Sequence, residues 1–226
     1  MNEYPTDLDI KDKTLSTIKT ITSAVPYIGA PAVELLNAIV TPSLQKRRDK
    51  WFQSIGERLE KLEKEQNGIL DKLADDDVFI DICLKTTELA IKTSEDEKLQ
   101  ALKNALLNSI DNEAVDISMQ QVFLGYIDIF TVWHIKLLKL FDNPSIYRDK
   151  LQNLYSGSLI KVIEVAYPEL IAEEEFTRQI FKDLYLKGLL NTESLAGMMT
   201  ADGMLAKRTT KMGQDFIYYI SESEND

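Results

Sequence analysis

The sequence predicts a mainly α protein, and three observations carry that prediction. Apolar residues recur at spacings of three and four rather than alternating. Only nine Gly and six Pro punctuate 226 residues. Helical patterns follow one another across short polar joints, with capping residues at their starts. The expected architecture is an N-terminal helical bundle over residues 1–130, followed by a winged-helix-like region over 131–226 with a small β-hairpin.

Each element has its own warrant. Pro26, Gly29 and Pro31 break the apolar segment Ile21–Val40, and Thr41-Pro42 has the N-cap and first-turn chemistry that opens a helix reaching about Gln66. On that helix Trp51, Ile55, Leu59 and Leu62 fall at spacings of four, four and three, which makes one buried stripe. Asn67-Gly68 can interrupt it. A helix between Asp77 and Thr93 places Phe79, Ile82, Cys83, Leu89 and Ala90 on one face. Ser94 with Glu97 has the spacing of a capping box and opens a helix whose stripe is Leu99, Leu102, Leu106 and Ile110. So short a joint favours antiparallel packing of the two. From about Asp116 to Ile129, Val122, Phe123, Tyr126, Ile127 and Ile129 make a helix apolar on most sides, which predicts a place near the centre of the bundle.

After residue 130 the pattern changes. Thr131 caps a helix to Phe141, ended by Asn143-Pro144; a second helix covers Ser158–Ala166, and a third runs from about Glu173 to Lys187. Gly188 closes the third as a left-handed C-terminal residue. The turn signal Ala201-Asp202-Gly203 predicts a hairpin between Leu195 and Thr210, and Thr209 or Thr210 begins a last amphipathic helix. Helix, helix, helix, hairpin, helix is the winged-helix order.

Four stretches carry a resemblance: PYIGAPAVELLNAIVTPSLQKRRDKW, EDEKLQALKNALLNSI, FLGYIDIFTVWHIKLLKLFDNP, and DLYLKGLL with TTKMGQDFIYYI. Together they resemble uncharacterised bacterial helical proteins with a C-terminal winged helix, similar in layout to abortive-infection alpha-type proteins. The similarity is one of patterned helices over most of the chain, without a catalytic signature. It implies a setting in bacterial phage defence and transfers no functional residue.

Composition narrows the function classes. With 26 Lys plus Arg against 37 Asp plus Glu the net charge is -11, so the whole-molecule field repels phosphate and anionic lipid. One His and one Cys exclude a Cys/His zinc cage within one chain, and lone Cys83 excludes an internal disulfide, which suits a reducing, cytoplasmic setting. The opening MNEYPTDLDIKDK is not the pattern of a secretory signal. No phosphate-cradling Gly loop, nucleophile elbow or paired His ligands occur, so the expectation is a protein that is not an enzyme and needs no cofactor. Asp75–Asp77 and Glu173–Glu175 stand where helices start and complement the helix dipole, without the spacing of a calcium loop. His134, on an apolar helix beside Trp133, reads as a hydrogen-bonded structural histidine.

Three groups remain as candidate sites. Lys46, Arg47, Arg48 and Lys50 form the one dense basic group in the sequence, and Lys207, Arg208 and Lys211 lie by the expected hairpin; both are candidate contacts for phosphate or another anionic ligand. The third is Ile21–Val40, represented by Val33, Leu36 and Val40, which reads as a buried hairpin or, alternatively, as a membrane-active segment giving peripheral contact with the inner membrane. A DNA-binding winged helix would read bases with the helix that begins Glu173-Glu174-Glu175, whose glutamates repel phosphates. The leading expectation is therefore a non-enzymatic interaction protein that associates with itself and with a protein partner. A DNA-binding regulator and a membrane-disrupting effector are the alternatives.

Overall fold

The computed structural model of the protein describes residues 30–110, 115–151 and 155–222, with side chains from Ala38 onward except that of Ile39. It is mainly helical. In chain order the elements are α1 (Ala30–Glu65), α2 (Ile69–Ala74), α3 (Asp77–Lys92), α4 (Asp96–Asn108), α5 (Ile117–Ile129), α6 (Val132–Asp142), α7 (Arg148–Leu151), β1 (Ser156–Gly157), α8 (Leu159–Ala166), α9 (Glu174–Leu186), β2 (Met199–Thr200), α10 (Ala201–Met204) and α11 (Lys211–Ile220). Short 3₁₀ turns at Pro144–Tyr147 and Pro168–Ile171 each start on a proline. Packing divides the chain between Asp49 and Lys50, not at 130/131: within the unit Lys50–Asp226, α11 lies on α4 and α5, which precede residue 130.

α1 departs most from the sequence reading. Instead of a fresh start at Pro42, one helix runs from Ala30 to Glu65 with Pro31 in its first turn and Pro42 inside it. Pro31 sits where a missing N–H is harmless. Pro42 withholds the N–H that the Ala38 carbonyl would accept, a loss of ~3 kcal/mol in an isolated helix. Ala38 and Pro42 are both exposed, so water reaches that turn. Residues 21–29 and the side chains of Val33 and Leu36 lie outside the described residues, while Val40 is exposed rather than buried. After Glu65 the chain turns at Gly68, whose φ of 81° favours glycine, and the Glu63 carboxylate accepts from the Gly68 and Leu70 N–H groups at 2.7 and 3.0 Å.

The predicted stripe on α1 is present: Trp51 and Ile55 are buried, Leu59 and Leu62 partly so, and the Trp51 indole N–H donates to Thr87 Oγ1 of α3 at 3.0 Å. α3 begins at an Asp76 cap whose carboxylate accepts from the Val78 and Phe79 N–H groups. It buries Phe79, Ile82, Leu89 and Ala90 as expected, with Thr86 replacing the half-buried Cys83 in the fully buried row. The Ser94–Glu97 capping box does not form. α4 starts one residue later, on Glu95, and Thr93 Oγ1 accepts the Glu95 N–H instead. α5, capped by Asp116, buries Gln120, Phe123, Leu124 and Ile127 but leaves Val122 and Ile129 42% and 59% exposed. It is thus a wall of the core and not its axis.

Aromatic packing closes this unit. Phe123 is fully buried, 5.2 Å from Phe216 and 5.8 Å from Tyr219 of α11; Tyr126 stacks on Phe130 at 5.4 Å, and Phe130 meets Phe216 edge-on at 6.0 Å. Each such pair adds ~0.5–1.5 kcal/mol beyond its buried area. The C-terminal end of α11 is held by amide side chains of α4. Asn104 Nδ2 donates to the Ile220 carbonyl at 3.0 Å, and Asn108 Nδ2 lies 2.9–3.1 Å from the carbonyls of Tyr218, Tyr219 and Ser221. These are carbonyls a helix end leaves without intrahelical partners.

Beyond residue 130, Thr131, Ser158, Glu173 and Thr210 start α6, α8, α9 and α11, and Gly188 ends α9 with φ 73°. The hairpin between Leu195 and Thr210 is corrected. Met199–Thr200 pairs antiparallel with Ser156–Gly157, more than forty residues away, making a two-stranded sheet. Ala201-Asp202-Gly203 is a helical turn, α10, because Thr200 Oγ1 caps it by accepting the Gly203 N–H at 3.1 Å. Leu190 and Thr209 form an isolated antiparallel bridge that closes the excursion between them.

Candidate functional site

The basic group on α1 is open to solvent. Lys46 and Lys50 are exposed, whereas Arg47 and Arg48 are half-buried, and Arg48 lies 3.4 Å from the Asp49 carboxylate. Four basic side chains against one acid between Leu44 and Phe52 leave a local charge of +3. Phe52, at the end of this stretch, is 50% exposed.

The second basic group is engaged from within. Lys207 Nζ lies 2.7 Å from Asp142 Oδ1, and Thr209 Oγ1 donates to that same oxygen at 2.6 Å. The Arg208 guanidinium points into the excursion and donates to the Gly203 carbonyl, while its backbone N–H donates to the Phe141 carbonyl at 2.8 Å and its carbonyl accepts from Asn191 N–H at 2.8 Å. Lys211 pairs with Asp215 one turn on. Lys207 and Arg208 therefore fasten the 190–210 excursion to the end of α6, whereas Lys211 is paired within α11 and stays exposed. Asp142 and Thr209, which make this possible, have no signal in the sequence beyond polar residues at helix ends.

His134 is structural in its geometry. Its Nδ1 accepts the Thr131 N–H at 3.1 Å, closing a capping box at the start of α6; its ring stacks on Phe130 at 4.6 Å; and Nε2 stands 3.5 Å from Asp183 Oδ2. Burial pushes the imidazole below its ordinary pKa, partly offset by the Asp183 carboxylate. A histidine whose folded pKa lies below the unfolded value stabilises the fold above about pH 6.5, and that contribution is lost as the pH falls through the unfolded value toward the folded one. Because it is the sole histidine, melting temperatures measured between pH 7.5 and 5.5 should fall for the wild type and flatten in His134→Gln. Equal slopes for the two would contradict this. Cys83, half-buried on α3, has its thiol pushed up by burial against a weaker opposing contact from Thr87, so it is poorly nucleophilic.

What remains exposed is apolar. Leu84 on α3, Ile129 on α5 and Leu186 on α9 are 59–66% accessible. Between α3 and α5 a groove of about 280 Å³ is lined by Val78, Ile82, Ile117 and Leu124, with Asp81 and Lys85 on one lip. A second, smaller pocket of about 130 Å³ opens where α8, the Pro168–Ile171 turn and α9 converge, lined by Ile160, Ile163, Leu170, Ile171 and Leu195. Its polar edges are satisfied: Thr177 Oγ1 donates to the Leu170 carbonyl at 2.9 Å and Arg178 pairs with Glu174 at 2.6 Å. The apolar breadth of LIKVIEVA in α8 was a signal for this pocket, since Ile160 and Ile163 fall three apart beside the buried Leu159 and Val162.

Among the described residues no helix is long and apolar enough to cross a membrane. Compared with known proteins, the chain matches no protein-family model, no curated protein and no solved structure.

Proposed function

We propose that this protein is a non-enzymatic interaction module that associates with itself and with a protein partner, working in the cytoplasm. The observation that carries this reading is the set of large apolar side chains left open on helix faces, Leu84, Ile117, Ile129 and Leu186, of which Ile117 lines a preformed groove in the surface. The polar chemistry points the same way, because the histidine, Lys207 and Arg208 are engaged in holding the fold and burial leaves the thiol poorly nucleophilic. Phage defence as the setting is supported by the resemblance to abortive-infection alpha-type proteins alone.

The winged-helix arrangement belongs to this proposal. β1, α8, α9 and the Leu190–Thr209 bridge follow one another as strand, helix, helix and wing. The outward side of α9 carries Glu175, Gln179, Lys182 and Leu186, without net charge, which suits a protein surface better than phosphates. Sedimentation across the micromolar range should show self-association, and gel shifts on duplex DNA at about 50 and 200 mM salt should show no complex. A monomer that binds duplex tightly, with steep weakening in salt, would replace this reading with a DNA-binding regulator.

A further inference from the structure

The groove between α3 and α5 has a shape and a charge that select one kind of partner. Its floor is hydrocarbon, from Val78, Ile82 and Leu124, and Ile117 stands 40% exposed at its rim. At about 280 Å³ it falls just short of the ~300 Å³ at which small-molecule sites begin, and it lies open along two helices rather than enclosed. That shape suits the apolar face of a third helix laid between them.

The polar groups on the lip are not equivalent. Lys85 is held by the Glu88 carboxylate at 3.4 Å, whereas Asp81 lines the groove, is exposed, and enters no ion pair among the described residues. Asp77, also exposed and one turn earlier, lies on the same helix edge. Both walls are acidic beyond these two: Asp75–Lys92 holds five carboxylates against two lysines, and Asp116–Ile129 holds Asp116 and Asp128 with no basic residue. The field of the whole chain, at a net charge of -11, has the same sign, so it draws a cationic partner and repels a second copy from this face. We infer that the α3–α5 groove receives an amphipathic helix of a basic protein partner, with apolar side chains on Val78, Ile82 and Leu124 and a lysine or arginine set against Asp81 and Asp77. This rests on the protein partner of the preceding section and names that partner's class and the surface that receives it.

The probe is a labelled amphipathic helical peptide of leucine and lysine, titrated with the full-length chain and followed by fluorescence anisotropy. The wild type should bind it, and should not bind the same peptide with glutamate in place of lysine. Asp81→Lys should weaken binding by about ten-fold at low salt, an effect that fades as salt rises, whereas Ile117→Ser should weaken it at every salt concentration. Glu175→Lys on α9 changes the net charge by the same amount away from the groove and should move the affinity by less than about two-fold. All three positions are exposed, so circular dichroism should be unchanged. Equal losses in Asp81→Lys and Glu175→Lys would mean attraction by net charge alone and overturn the site. Hexylamine displacing the peptide at concentrations near the peptide's own would overturn the helix in favour of a small amphiphilic amine. Failure to bind the lysine peptide by a wild type that self-associates in sedimentation overturns this inference alone; a monomer that binds neither peptide overturns the preceding reading with it.

Discussion

Gly213→Ala should destabilise the protein by about 3 kcal/mol, the reverse of the usual effect of this change inside a helix. In α11 an alanine would ordinarily gain ~1 kcal/mol through backbone entropy. Here a Cβ on residue 213 would lie 2.2 Å from the Leu189 carbonyl oxygen and 3.1 Å from its carbon, both backbone atoms that cannot turn aside. The closeness follows from the way the helix start is pinned. Thr210 Oγ1 accepts the Gly213 N–H at 3.0 Å and donates to the Gly188 carbonyl at 2.6 Å, while the Thr210 N–H donates to Leu189 O at 3.0 Å. Making room means withdrawing α11 from the end of α9 and thinning the contacts of Phe216. Thermal melts should show a loss of ~6–12 °C for a chain of this size. A melting temperature equal to or above wild type would show that the approach is looser than the structure has it.

Asn108→Asp should cost about 3 kcal/mol or more at neutral pH with almost no change of volume. Asn108 is 7% exposed, and its amide nitrogen is surrounded by three carbonyl oxygens at the end of α11. A carboxylate would bring a fourth acceptor and a negative charge to that spot. The loss should shrink on acidification, because a carboxyl held there has its pKa raised above the unfolded value of about 3.9 and is tolerated only when protonated. Denaturant unfolding at pH 4 and 7 checks the sign: a variant as stable as wild type at pH 7, or one that gains stability as pH rises, contradicts it. Asn108→Ala serves as the milder control.

Helix boundaries set by local chemistry were legible in the sequence. Thr131, Thr210 and Gly188 act within one turn of the residues they cap, so their neighbours alone decide the outcome. Boundaries decided by something farther away were not. Pro42 reads as a start because proline is at home in a first turn, but α1 continues through it where its surface meets water. Ser94 and Glu97 have the right spacing, yet the helix starts one residue later, on Glu95, whose own N–H is taken by Thr93 Oγ1. A two-residue strand has no periodicity to detect, and β2 finds its partner in β1 rather than across the nearest turn. Of the candidate groups, the α1 basic cluster remains an open surface, whereas Lys207 and Arg208 are held by Asp142 and the Gly203 carbonyl and Lys211 stays exposed beside Asp215; composition counts charge but not what already neutralises it.

The clasp of α4 on α11 also sets an order on the making of this protein. Asn104 and Asn108 leave the ribosome more than a hundred residues before the carbonyls they bind, and Phe123 precedes Phe216 by over ninety. A nascent chain that has reached residue 205 holds α3, α4 and α5 complete, but the apolar face awaiting α11 is still bare. Closure is therefore delayed until the last helix arrives, and at a translation rate of ~5–20 residues per second that interval is at least several seconds. During it the half-built core is an adhesive surface in a crowded cell. Output of folded protein should depend on chaperone supply more steeply than the finished molecule's stability would suggest.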